Sequence, residues 1–300
     1  MTAARRAPLA NVYDRALLWL ARHAGMPRLR DSAFRKYCRR HRGQTRLREL
    51  DTGIRMRLHI GDSVDNQLFV NGEFEPETTR ALEKLARHAD GFIDVGCNIG
   101  YYSCVYARSG RGPIVAVDPN PEMVRRTREN LELNDARAEI LQCGVGERRG
   151  TLTLNVPANR HSLASFAYAP TRGGAVTTLE VPIRTLSEIV EQTPLANALV
   201  KVDTEGFELQ VLRGITAAAA RRIGYLVMEL SAENLAQARV SLAELLDAAA
   251  LADRRTFRIA AGGRLRPASA SELTAETDIG ENVVWVRNDL AGPILAAFRG

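Results

Sequence analysis

The chain has 300 residues, room for one large α/β domain with an appendage or for two small domains. Hydrophobic residues at 45% and charged residues at 25% are ordinary for a soluble globular protein with an ample core. The four cysteines (Cys38, Cys97, Cys104 and Cys143) form no CxxC pair, which argues against a disulfide framework or a zinc site and fits a reducing compartment. Met1 to Leu20 lacks the apolar core of a signal peptide, and no window approaches the ~18 apolar residues of a membrane span. The expected location is cytoplasmic.

Charge is unevenly spread. Residues 1–50 carry thirteen Lys/Arg against three Asp/Glu, a net of +10, whereas the whole chain is +6 and the remainder therefore −4. This basic arm (1–50) contains Val12, Ala16, Leu17 and Leu20 at helical spacing and reads as an amphipathic helix. It would either pack on the protein or make peripheral contact with an anionic membrane. Next comes a segment (51–90) that reads as a β-hairpin and helix forming an antechamber. Ile54, Met56, Leu58 and Ile60 alternate with polar residues and predict a strand, with Asn66 to Val70 as its partner. Gly72-Glu73-Phe74-Glu75 then leads through Pro76 into a helix.

From residue 91 to 300 strands and helices alternate, which predicts an α/β fold with a mostly parallel open sheet and helices on both faces. Phe92-Ile93 is an apolar strand that ends in the acid Asp94, and Val95-Gly96-Cys97-Asn98-Ile99-Gly100 follows. Asp118 ends a second apolar run, Ile114 to Val117, 24 residues after Asp94. This βαβ pattern predicts a nucleoside site at the strand ends. The loop reads G-x-N-x-G and lacks the third glycine that a dinucleotide pyrophosphate needs. S-adenosylmethionine (SAM) carries no phosphate, so its requirements differ. An acid at the end of the first strand suits its cationic amino-acid end. A second acid, at Asp118, suits its ribose diol. The competing reading is a βαβ unit with an ordinary turn and no nucleoside.

Asn120, Pro121 and Glu122 start a helix that runs to about Leu133. Ala138 to Gln142 is the third strand. Thr151 to Val156 and Thr178 to Arg184 are extra strands bounding an insertion (about 150–190) in which His161 and Ser162 are candidates for substrate contact. The fourth strand, Ala198 to Asp203, runs into Lys201-Val202-Asp203-Thr204-Glu205-Gly206-Phe207-Glu208. The fifth, Tyr225 to Leu230, places Glu229 at the matching end. Ser231 caps a helix predicted to reach about Leu251, and Thr256 to Ala260 pairs with Asn282 to Arg287.

Methyl transfer to a hydroxyl needs the acceptor oxygen in line at ~3–3.5 Å and a base for its proton. Asp203 and Glu205 are the candidate bases, with Lys201 keeping one of them ionised. Glu75 and Glu229 are candidates for acceptor binding, and Glu208 reads as a helix-start acid. Lysine occurs only at Lys36, Lys84 and Lys201 against 38 arginines, which singles out Lys201. An alternative gives Asp203 and Glu229 a divalent cation, although no dedicated metal site is expected.

Taken together, these motifs resemble the FkbM family of SAM-dependent methyltransferases. The similar stretches are G-E-F-E-P-E (72–77), I-D-V-G-C-N-I-G (93–100), V-D-P-N-P (117–121), G-V-G-E-R-R-G (144–150), H-S-L-A-S (161–165), V-P-I-R-T-L (181–186) and K-V-D-T-E-G-F-E (201–208). They lie within about residues 50–230. The resemblance implies a class I, Rossmann-like methyltransferase fold and O-methylation of a sugar, glycolipid or secondary-metabolite hydroxyl. It also implies cofactor contacts from Asp94, Gly96, Asn98, Gly100 and Asp118, with Gly144 standing at a usual Ala position near the adenine. Cys97 stands for a frequent Ala, Asp118 for a frequent Glu, and Ser187-Glu188 for a frequent Asp-Asp. The expected partner is a small-molecule or glycan hydroxyl acceptor. Two rivals are a nucleic-acid methyltransferase using the basic arm and a non-catalytic SAM-binding scaffold. The first is disfavoured because no N/D-P-P-Y/F motif follows the fourth strand.

Overall fold

A computed structural model describes residues 12–158, 164–167, 175–251, 253–275 and 279–298. The chain divides into two compact units, one ending at Phe74 and the other beginning at Glu75. The predicted antechamber is thus split, its hairpin going to the first unit and its helix to the second.

In the first unit, α1 (Val12–His23) and α2 (Pro27–Arg40) precede β1 (Thr45–Glu49), β2 (Arg55–His59) and α3 (Ser63–Asn71). α1 buries Asp14, Leu17 and Ala21 and leaves Val12 outside. The buried stripe is therefore turned away from Val12 and Ala16. Asp14 lies 3.1 Å from Arg40 Nε and 3.2 Å from His41 Nε2, which gives the buried carboxylate its partners. β2 pairs antiparallel with β1, from Thr45 opposite His59 to Glu49 opposite Arg55. Asn66 to Val70 is helical, which corrects the strand expected there. Its three apolar residues, Leu68 to Val70, are too short a run to distinguish strand from helix. Local bonds decide the matter. The Asp65 carboxylate accepts from the His59 N–H at 2.6 Å, and Gly72, with φ of 82°, closes the helix in the left-handed region.

The second unit opens with α4 (Pro76–Ala86). There follow β3 (Phe92–Val95), α5 (Tyr101–Ser109), β4 (Ile114–Val117), α6 (Pro121–Leu133) and β5 (Glu139–Leu141). Asn120 caps α6 by accepting from the Glu122 N–H at 3.0 Å. β6 (Gly144–Val145) and the insertion's β7 (Gly150–Pro157) and β8 (Val176–Arg184) form a small separate sheet ordered β6-β8-β7. α7 (Leu186–Gln192) starts on a capping box between Thr185 and Glu188. Next are β9 (Ala198–Val202), α8 (Glu208–Arg213), α9 (Ala217–Arg222) and β10 (Ile223–Ser231).

The helix expected from Ser231 to Leu251 is two helices, α10 (Ala232–Ala238) and α11 (Leu242–Ala249). Arg239 takes a left-handed conformation with φ of 57°, and Ser241 then caps α11. β11 (Arg254–Ala260), β12 (Arg264–Pro267), α12 (Ala270–Thr274), β13 (Gly280–Arg287) and α13 (Asn288–Ala297) complete the unit.

The main sheet runs β12-β11-β13-β10-β9-β3-β4-β5. Strands β10, β9, β3, β4 and β5 are mutually parallel, and β13 lies antiparallel between β10 and β11. The order reverses between β3 and β9, because chain from β3 builds toward β5 and chain from β9 builds toward β13. That reversal is the topological switch point of an open, mostly parallel α/β sheet, where the crevice at the strand ends accepts ligands. Ile93, Val95, Val115, Val117, Val200, Val202, Leu226, Met228 and Trp285 form the core around the central strands. Phe92, Ile114, Ala116, Leu199, Tyr225 and Val227 are buried on the opposite face, which explains runs that are apolar without alternation.

Candidate active site

The glycine loop leaves β3 in three left-handed steps, at Gly96 (φ 78°), Asn98 (φ 52°) and Gly100 (φ 77°). A Cβ on Gly96 would stand 1.8 Å from the Asp203 carbonyl oxygen, so glycine is needed there for the two strand ends to approach. The loop is held from outside itself. Thr127 Oγ1 donates to the Asn98 carbonyl at 2.7 Å, and Asn130 Nδ2 donates to the Ile99 carbonyl at 2.9 Å. The Gly96 and Cys97 N–H groups both donate to the Val117 carbonyl. Thr127 and Asn130 were not singled out from sequence, although both lie on the helix that the Asn120-Pro121 start announces.

Asp118 accepts from the Asn98 and Asn120 N–H groups, each at 2.9 Å. Burial raises its pKa to about 7, against the pull of those two bonds. Beside it, Asn120 Nδ2 is buried with no hydrogen-bond partner among the described residues. Asp94 lies within β3, buried, and accepts from Ser103 Oγ at 2.6 Å. Burial raises it to about 6, while Ser103 and Lys201 act the other way. Gly144 begins β6. Its Cα faces Ile183 Cδ1 and the Phe166 ring, which a Cβ would meet at 2.5 and 2.7 Å. On that side, the missing side chain makes room for protein atoms.

Across the switch point, Asp94 and Lys201 are register neighbours on β3 and β9. Lys201 is 1% exposed, its Nζ lies 2.7 Å from Asp203 Oδ2, and it sits 4.6 Å above the Tyr102 ring. Burial works against its charge, but Asp203, Glu75 and Asp94 outweigh burial and raise its pKa. Glu75 is in the same neighbourhood. It has φ of 40° just before Pro76, accepts from Tyr102 Oη at 2.5 Å and accepts from Asn282 Nδ2 at 2.9 Å. Burial raises the Glu75 pKa despite those donors and the Lys201 charge.

Glu205 also takes a left-handed backbone, with φ of 52°, and its Oε2 accepts from Asn234 Nδ2 at 3.2 Å. Glu205 and Glu229 are both pushed far above the carboxylate range, first by burial and then by the neighbouring Asp203 charge. Glu208 does something different: one oxygen accepts from the Thr204 N–H, Thr204 Oγ1 and the Gly206 N–H. It therefore staples the turn before α8, as the helix-start reading had it. His161 and Ser162 lie outside the described residues. Nearby, Ser165 Oγ donates to the Glu205 carbonyl at 2.8 Å, and the Phe166 and Phe207 rings are 5.3 Å apart.

The fold thus brings Glu75, Asp94, Lys201, Asp203, Glu205 and Glu229 into one electrostatically connected group. Tyr102 and Asn282, missed from sequence, orient Glu75. Among the described residues, no set of three or more His, Cys, Asp and Glu side chains is arranged to hold a metal ion. No described helix is long and apolar enough to cross a membrane.

The methyltransferase FkbM domain family matches residues 94–259, more than half of the chain. The chain belongs to this family. Among curated relatives, the hexuronic acid methyltransferase AglP of Haloferax volcanii is 30% identical over 162 residues, covering 53% of this chain and 63% of that protein. Methyltransferase sdnD of Sordaria araneosa is 31% identical over 153 residues, covering 41% and 59%. The match spans just under two thirds of those relatives' length. Among solved structures, the FkbM methyltransferase of Methylobacillus flagellatus superposes with a TM-score of 0.40 at 15% identity, covering 66% of this chain and 43% of that one. The glycine loop, Asp118 and the run from Lys201 to Glu208 all lie within the stretch matched by the FkbM family.

Proposed function

We propose that the protein transfers a methyl group from SAM to a hydroxyl of a sugar, glycolipid or secondary metabolite. The observation that carries this reading is the register pairing of Asp94 with Lys201 at the switch point. In this reading it puts Asp94, on the donor side, beside Lys201, which holds the carboxylate of Asp203. When bound, SAM supplies a methyl group activated on a sulfonium. The residues present fit that molecule. Asp118 has lone pairs beyond its two backbone bonds for a ribose diol, and the unpartnered Asn120 Nδ2 is a spare donor beside it. Asp94 and Asp203 bring negative charge toward a cationic amino-acid end.

In this reading, Lys201 holds Asp203 in place, and burial together with the Asp203 charge raises the Glu205 pKa. A carboxylate whose pKa lies near the working pH is a better proton acceptor than an ordinary one. Glu205 therefore takes the hydroxyl proton, while Glu75 and Glu229 hold neighbouring acceptor hydroxyls. Turnover should rise with pH through the raised value shared by Glu205 and Glu229. A relative described as acting on a hexuronic acid favours a sugar as acceptor class. The four buried, unpaired cysteines suit a reducing, cytoplasmic setting.

The test is calorimetric titration with S-adenosylhomocysteine, followed by radiolabelled methyl transfer to hydroxylated acceptors. Asp118→Ala removes an anionic acceptor from the diol and should weaken binding by roughly 100-fold. Glu205→Gln should retain binding and lose turnover. If the parent does not bind, or Glu205→Gln turns over at the parent rate, this assignment is wrong.

A further inference from the structure

The first unit carries a surface that the methyltransferase reading does not use. α1 is apolar on two faces. Leu17 and Ala21 are buried, while Val12 and Trp19, seven residues apart and so on one stripe, are 82% and 60% exposed. Ala16 lies between them and is also exposed. Exposed apolar residues continue beyond α1, with Met26 at 66% and Leu29 at 39%.

The neighbouring helix supplies charge. On α2, Arg28, Arg35 and Arg39 recur at helical spacing on one exposed stripe, with exposed Lys36 beside it. Residues 12–43 hold nine Lys/Arg against two Asp, a net of +7. One of those acids, Asp14, is buried against Arg40 and His41.

We infer that α1 and α2 dock the protein on an anionic lipid bilayer. Trp19, Val12 and Met26 would enter the interface, and the α2 arginines would face the headgroups. A large apolar stripe beside a cationic face is the composition of interfacial helices. Tryptophan prefers the interfacial level of a bilayer, and each Lys/Arg near an anionic surface adds to the attraction. A nucleic acid would satisfy the arginines but would leave Val12, Trp19 and Met26 in water. The apolar stripe therefore decides for lipid.

The test exploits the two tryptophans. Trp285 is buried in the core at 1% exposure, so a change in intrinsic fluorescence on adding vesicles reports Trp19. The full-length protein is titrated with vesicles of phosphatidylcholine containing phosphatidylglycerol, and with phosphatidylcholine alone. The expected result is a blue shift and co-sedimentation with the anionic vesicles only, both weakened by salt. Each of Arg28→Gln, Arg35→Gln and Arg39→Gln should weaken binding by roughly 5-fold. Trp19→Glu should abolish it and leave the thermal midpoint unchanged, because the side chain is outside the core. Three results would overturn the inference: no binding to anionic vesicles at low salt, binding that ignores Trp19→Glu, or a dimer in solution that Trp19→Glu dissociates. So would tight RNA binding by the protein with no affinity for the vesicles.

Discussion

Lys201→Met tests whether the centre of the site is held together by charge. Methionine nearly matches lysine in length and keeps the contact with the Tyr102 ring, so packing is largely conserved. What is lost is the ammonium 2.7 Å from Asp203. Removing one partner of a buried pair typically costs ~3–5 kcal/mol, because the other charge stays desolvated. Asp203 retains 25% side-chain exposure, so water recovers part of that. The expected loss is ~2–4 kcal/mol in urea unfolding, read as a lower midpoint at unchanged slope. Lys201→Met combined with Asp203→Asn removes both charges and should recover at least half of the loss. There is also a signature in pH. Lys201 lowers the pKa of Glu75, Asp94, Glu205 and Glu229, so its removal raises all four. The pH range over which these groups affect stability should move to higher values. A single variant within ~1 kcal/mol of the parent, or a double variant no better than the single, would refute the argument.

Three further outcomes follow from the geometry. Gly96→Ala places a Cβ against the Asp203 carbonyl oxygen at a φ of 78°, and should cost ~2–4 kcal/mol together with S-adenosylhomocysteine binding; thermal denaturation and titration check both. Glu208→Ala leaves the Thr204 and Gly206 N–H groups without their acceptor, and should cost ~1–3 kcal/mol by urea unfolding. In the ligand-free protein, the raised carboxyls make stability depend on pH. Asp118 stays protonated when folded up to about 7 and Asp94 up to about 6, against an ordinary 3.8. The folded state thus binds more protons than the unfolded one in that window. The contribution is complete below about pH 4 and is lost as pH rises toward 7, at up to ~1.4 kcal/mol per pH unit for each group. Urea midpoints measured from pH 4 to pH 8 should fall; a rise would contradict the raised values.

The parts of the site legible in the sequence are those written in short contiguous strings. Asp94, the glycine loop and Asp118 span one βαβ unit, and Lys201 to Glu208 is a single strand end with its turn. The periodicity of buried strands places both groups at the same end of the sheet. Asn282 is different. It is 207 residues from Glu75, and it reaches that carboxylate because β13 inserts between β10 and β11. Pairing Asn282 to Arg287 with Thr256 to Ala260 was readable, but the strand on the other side of β13 was not. Likewise the spacing on α1 announced a helix without saying which of two apolar stripes faces inward, and Val12 is on the outer one.

Lysine usage shows how composition and geometry combine. In a chain with 38 arginines, lysine at 201 reads as a position that arginine does not fill. The structure supplies a physical reason. The slot is closed on one side by the Tyr102 ring and on another by Asp203, and it leaves the side chain 2% exposed. A compact ammonium fits there, whereas a planar guanidinium needs a wider fork of acceptors and more volume. Lys84 has partners without a closed slot: its Nζ donates to the Gly262 carbonyl at 3.0 Å in an exposed bond and lies 5.1 Å from the centre of the Phe298 ring. Lys36, the third, is on the exposed face of α2, where a guanidinium would serve as well. A reason of shape is therefore visible at Lys201, and its strand-end position turns shape into chemistry.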